Sequence, residues 1–96
     1  MATTRNIVIW FQLFHPEKGE ERVRQTIEAF GCSWAKIANG LYYMHGEHDA
    51  QTVGNKIWGA LNIDDKLVVV DSTNNDARWY NVNPDISKFM VDNWHA

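Results

Sequence analysis

Several groups of residues in this chain have side chains able to do chemistry. His45-Gly46-Glu47-His48-Asp49 is its dense mixture of imidazoles and carboxylates. Such residues bind metals when three or four of them converge. Their place between a strand and a helix gives them a simpler role, with His48 or Asp49 capping the helix that follows. Asp64, Asp65 and Asp71 would suit a hard cation such as Mg²⁺. They flank one apolar run at opposite ends, so the three do not meet in a single two-metal site. Cys32 is the single cysteine, which excludes an internal disulfide and fits a reducing compartment. Beside an apolar strand it reads as a small packed hydrophobe. No Ser/His/Asp or Cys/His arrangement assembles, and no Gly-rich phosphate loop is present. The sequence therefore assigns no catalytic residue, no metal ligand set and no cofactor.

The aromatic residues carry more information. Five tryptophans, Trp10, Trp34, Trp58, Trp79 and Trp94, join Tyr42, Tyr43 and Tyr80. Aromatics concentrate at interfaces because they bury large area at low entropic cost. A chain of 96 residues has little interior room for all of them. Trp34 and Trp10 read as core and edge packing. Trp58, at the edge of a helical stripe, and Trp79, in a polar neighbourhood, read as interface or partner-binding residues, together with Tyr80 and Trp94. Bases also stack on such rings, normally beside a positive groove. Arg5, Lys36, Arg78 and Lys88 would supply one only if folding or dimerisation gathers them.

Composition bounds the rest. Residues 1–96 make one domain with one modest core. The net charge is −3, with the nine Lys and Arg scattered, which argues mildly against non-specific nucleic-acid binding. No basic segment followed by a long apolar one opens the chain. No apolar run approaches the ~20 residues of a membrane span. The expectation is a cytoplasmic protein without membrane contact.

These residues are positioned by tightly spaced elements. Ile7 to Phe14 is continuously apolar, which predicts a strand over 6–14 covered on both faces. His15-Pro16-Glu17-Lys18-Gly19 breaks it. Val23, Ile27 and Phe30 share one face of a helix over 20–30, which Gly31 stops. Strands over 32–37 and 41–45 are joined by Asn39-Gly40, a strong hairpin signal. A helix over 49–61 turns Ala50, Val53, Ile57 and Leu61 inward. Lys66 to Asp71 is the clearest strand, read as buried. A short strand over 77–82 follows. Pro84, capped by Asn83, opens a last helix with Ile86, Met90 and Trp94 on one face and Phe89 beside them. The order predicts an α+β, ferredoxin-like βαββαβ fold: an antiparallel four-stranded sheet, two helices on one face, and a C-terminal strand and helix extension. In a chain this small, the opposite face needs a cover: a second copy or the C-terminal segment.

Four segments carry a resemblance. They are Phe11-Gln12-Leu13-Phe14-His15-Pro16, Ile27-Glu28-Ala29-Phe30-Gly31-Cys32-Ser33-Trp34, Ile63-Asp64-Asp65-Lys66-Leu67-Val68-Val69-Val70 and Arg78-Trp79. Together they resemble the small subunit of the CRISPR adaptation complex, and more closely the SinR-like proteins that share its fold. The resemblance implies a homodimer that could lie along a duplex. In members with nuclease activity, an aspartate at the end of the first strand holds a divalent cation. Here that position is Gln12, whose amide brings no negative charge, and Phe14 stands where a polar residue is usual. The metal position is degenerate. Gln12 otherwise reads as a polar strand-end residue bonded to nearby backbone.

The leading expectation is a non-catalytic homodimer acting through its surface on a protein partner. Small acidic, aromatic-rich proteins of this kind also occur among phage-encoded inhibitors of bacterial defence. A nucleic-acid adaptor and a metal-dependent nuclease using Asp71 or Asp64 are the alternatives.

Overall fold

The computed structural model describes residues 4–73, 80 and 82–93. Within them the chain runs β1 (Arg5–Gln12), α1 (Pro16–Ala29), β2 (Ser33–Ala38), β3 (Leu41–Gly46), α2 (Ala50–Trp58), β4 (Lys66–Asp71) and α3 (Pro84–Asn93). It is an α+β structure. The four strands form one open antiparallel sheet in the order β2-β3-β1-β4. The strand expected over 77–82 falls mostly on residues outside those described, as do Trp79 and Trp94.

Period-two alternation divides each strand between two faces. On one face Ile7, Ile9 and Phe11 of β1 and Tyr42 and Met44 of β3 join Val23 and Ile27 of α1 and Val53 and Ile57 of α2 in a single buried core. Leu67 and Val69 of β4, Trp34 of β2 and Leu13 pack at its margin. Phe11 stacks on Tyr42 with ring centres 5.7 Å apart, and Trp34 tilts against the same tyrosine at 5.8 Å. Lys36 on β2 reaches Glu20 on α1 at 2.5 Å, tying the outer strand to the first helix.

Two expectations about burial need correction. The first strand is not covered on both faces, since Trp10 is 40% exposed. Nor is β4 buried throughout: Val68 and Val70 are 49% and 47% exposed. A continuous apolar run conceals which alternate residues face inward.

The helix ends follow their local chemistry. Pro16, read as a breaker, instead opens α1, with the N–H groups of Lys18 and Gly19 donating to the carbonyl of His15. Its fixed φ suits the first helical position, where no N–H is needed. Asp49 caps α2, accepting from the N–H of Thr52 at 2.8 Å. Asn83 caps α3, accepting from the N–H of Asp85 at 2.8 Å. Gly40 closes the β2–β3 hairpin at φ +76°, and its carbonyl accepts the N–H of Phe11 at 2.9 Å.

Helix α3 lies on the face opposite the core. Phe89 meets Tyr43 edge-on, ring centres 6.1 Å apart, and Met90 is buried. The helix packs toward β2, so it covers the β2–β3 half of that face.

Candidate functional site

Among the described residues no element covers the β1–β4 half of the same face. Val8 pairs directly with Val70, and Trp10 with Val68. All four side chains project away from the core, because Ile7, Ile9 and Phe11 project into it. Directly opposed residues on one sheet face stand in contact, so these four make one continuous apolar block. The next pair along the ladder is Gln12 and Lys66, both exposed.

Gln12 and Lys66 share a pocket of about 280 Å³ with Leu13, Phe14 and Asp64. Its walls are the β1–α1 loop and the α2–β4 loop. Asp65 holds those loops together. One of its oxygens accepts the N–H of Phe14 at 2.8 Å, and the other accepts the N–H of Asn62 at 2.7 Å. The carboxylate is almost fully buried, and these two backbone donors keep its pKa below the ordinary value. The pocket is therefore shaped before any ligand arrives. Phe14 lines it, with its ring nearly perpendicular to that of His15, centres 4.8 Å apart.

At the other end of β4, Asp71 is spoken for. It accepts from Arg5 at 2.5 Å and from the hydroxyl of Thr73. These hydrogen bonds outweigh its partial burial and hold its pKa low. Asp64 and Asp71 are thus at opposite ends of the strand, while Asp65 faces inward as a clip.

The histidine cluster does not act as a unit. His45 sits beside Asn6, whose buried Oδ1 accepts from the Tyr43 hydroxyl at 2.8 Å and from His45 Nδ1 at 2.9 Å. Burial pushes the Tyr43 phenol up to about 12. His48 packs against Phe30, ring centres 4.9 Å apart, and Asp49 is engaged as the cap of α2. Among the described residues no three His, Cys, Asp or Glu side chains converge to hold a metal ion. Cys32 is half-buried, and desolvation raises its thiol pKa, the opposite of an activated nucleophile. No described helix is long and apolar enough to cross a membrane.

The residues singled out in the sequence scatter. Trp58 is half-exposed at the end of α2, and Tyr80 is exposed ahead of α3. Among the described residues, Trp10, read as packing, is the tryptophan that stands on the open sheet face. The almost continuously apolar run from Ile7 to Phe14 hides its outward orientation. No family model, curated protein or solved structure matches this chain.

Proposed function

We propose that this protein is a non-catalytic homodimeric binding module of ferredoxin-like fold that acts on a protein partner. The strand order β2-β3-β1-β4, with one helix after β1 and one after β3, supports the ferredoxin-like reading. The observation that carries the dimer is the apolar block of Val8, Trp10, Val68 and Val70 on the uncovered half of the sheet. Helix α3 forms a ridge on one half of that face and leaves a step on the other. Two copies related by a two-fold axis in the plane of contact fit ridge to step on both sides. Exposed apolar patches of this kind mark association surfaces in soluble proteins.

Non-catalytic action is supported by where the carboxylates go. Asp65 is consumed in holding two loops, Asp71 is neutralised by Arg5, and the position that would hold a cation is Gln12 beside the ammonium of Lys66. Trp58, Tyr80, Trp79 and Trp94 remain candidates for the partner surface. Sedimentation at micromolar concentration should give a species near twice the 11.1 kDa chain mass. Affinity capture from host and phage extracts should recover a discrete partner. An 11 kDa species alone, with no partner captured, would sink this reading.

A further inference from the structure

The pocket between the two clipped loops has chemistry that the apolar block beside it lacks. Several charged residues elsewhere on the fold are paired: Arg5 with Asp71, Lys36 with Glu20, Arg24 with Glu21 and Glu28, Lys88 with Asp92. Among the described residues, the side chains of Gln12, Asp64 and Lys66 make no hydrogen bond or ion pair. One pocket therefore presents a cation, a carboxylate and an amide together, each unsatisfied by protein. Beside them stands the ring of Phe14, 65% exposed. Its volume of about 280 Å³ is just below the range of drug-sized sites, which suits one planar ring system rather than an extended ligand.

The four functional groups limit what fits. Lys66 offers only donors, so the ligand must present an acceptor to it. Ionised Asp64 offers only acceptors, so the ligand must present donors nearby. Phe14 offers a stacking face, which every base can use. Guanine alone among the common bases carries on one edge a carbonyl acceptor, O6, followed by two donor positions, N1–H and N2–H₂. Lysine is a standard partner of its O6 and N7. A carboxylate accepts both N–H groups in a bidentate pair. Adenine reverses the pattern at the corresponding position, placing a donor toward Lys66. The Gln12 amide supplies one further donor or acceptor.

We infer that the Gln12, Phe14, Asp64 and Lys66 pocket binds a guanine base, stacked on Phe14 and read by Asp64 and Lys66. The inference does not rest on the protein partner, and its pocket borders the apolar block of Val8, Trp10, Val68 and Val70 on the same sheet face. The base is presented either by a free guanine nucleotide or by an unpaired guanine in a single strand.

Calorimetric titration of the full chain at low salt tests this. The probes are GMP, AMP, guanosine, inorganic phosphate, and single-stranded hexamers with one guanine or none. GMP should bind at least tenfold tighter than AMP, and guanosine should keep most of that affinity. Asp64→Asn should remove the preference for GMP over AMP, and Phe14→Ala should weaken both about tenfold. These exposed substitutions should leave the melting temperature unchanged, so loss of binding reads as loss of contact. A guanine hexamer binding tenfold tighter than GMP assigns the base to a single strand; equal affinity assigns it to a free nucleotide. No GMP binding at millimolar concentration would overturn the inference. So would equal binding of GMP and AMP, full competition by inorganic phosphate, or variants that bind like the parent.

Discussion

The carboxylate of Asp65 accepts the backbone N–H of Phe14 at 2.8 Å, across 51 residues of chain. Through its second oxygen it also accepts the N–H of Asn62. One side chain thus joins the loop that leaves β1 to the loop that enters β4. Asp65→Ala should leave both donors without their acceptor in a buried site. The cost is about 1–3 kcal/mol of stability, read by chemical denaturation. An unchanged midpoint would mean that solvent takes over the two N–H groups.

The same carboxylate sets an acid limit. Its pKa is lowered in the fold, first by the N–H of Asn62 and then by that of Phe14. A group with a depressed folded pKa contributes stability above its unfolded value, about 3.9 for Asp, and loses that contribution as pH falls through the folded value. Asp49 and Asp71 are shifted in the same direction. Stability should therefore be flat near neutrality and fall below about pH 4. In Asp65→Asn the decline should be shallower than in the parent. Melting curves at several acidic pH values will check both slopes.

Trp10→Lys should weaken self-association while keeping the fold, because the side chain lies outside the core. At least a tenfold rise in dimer Kd, about 1.4 kcal/mol, is expected by sedimentation equilibrium. Val68→Lys should act alike, being its direct partner across the ladder. Variants that stay dimeric at the parent's concentration would move the interface off this face.

Gly40→Ala should destabilise the hairpin. The residue holds φ +76°, and an added Cβ would stand 2.5 Å from the carbonyl oxygen of Phe11. Both effects act on the same turn, so a loss of about 1–3 kcal/mol is expected from thermal melting. At Gly31, with φ +74° but open space around the Cβ position, the same substitution should cost less.

Gln12→Asp should not produce a Mg²⁺-dependent nuclease. The new carboxylate would face Lys66 directly across the ladder and pair with it. Metal sites also need supporting groups to orient their ligands. Incubation with labelled RNA and DNA in Mg²⁺ or Mn²⁺ decides the point. Cleavage abolished by EDTA would show a metal site complete apart from one charge.

Much of the fold was legible because its signals are local. Asn39-Gly40 gave the hairpin, Asn83-Pro84 gave the start of α3, and Val23 with Ile27 gave the inner face of α1. What was hidden depended on partners distant in sequence. The run from Ile7 to Phe14 is apolar at almost every position, so nothing in it distinguishes Trp10, which faces outward, from Ile9, which faces in. Asp65 looked like half of a turn, since its acceptors' donors lie in two loops. Pro16 was read as an interruption when its ring geometry suits a helix start equally well. The pocket could not be read at all. Gln12, Phe14, Asp64 and Lys66 come together only because β1 and β4 are neighbours in the sheet.

Among the described residues strand β4 is an outer strand, and its sequence Lys66-Leu67-Val68-Val69-Val70-Asp71 has a consequence for assembly beyond the dimer. Four consecutive aliphatic residues on an outer strand are the material of open-ended fibres. The run is closed at each end by a charge of opposite sign. An identical strand docking in parallel register would stack Lys66 on Lys66 in every layer, while Asp71 is already paired with Arg5. That repulsion grows with each added copy, so Lys66 acts as a gatekeeper against a parallel stack.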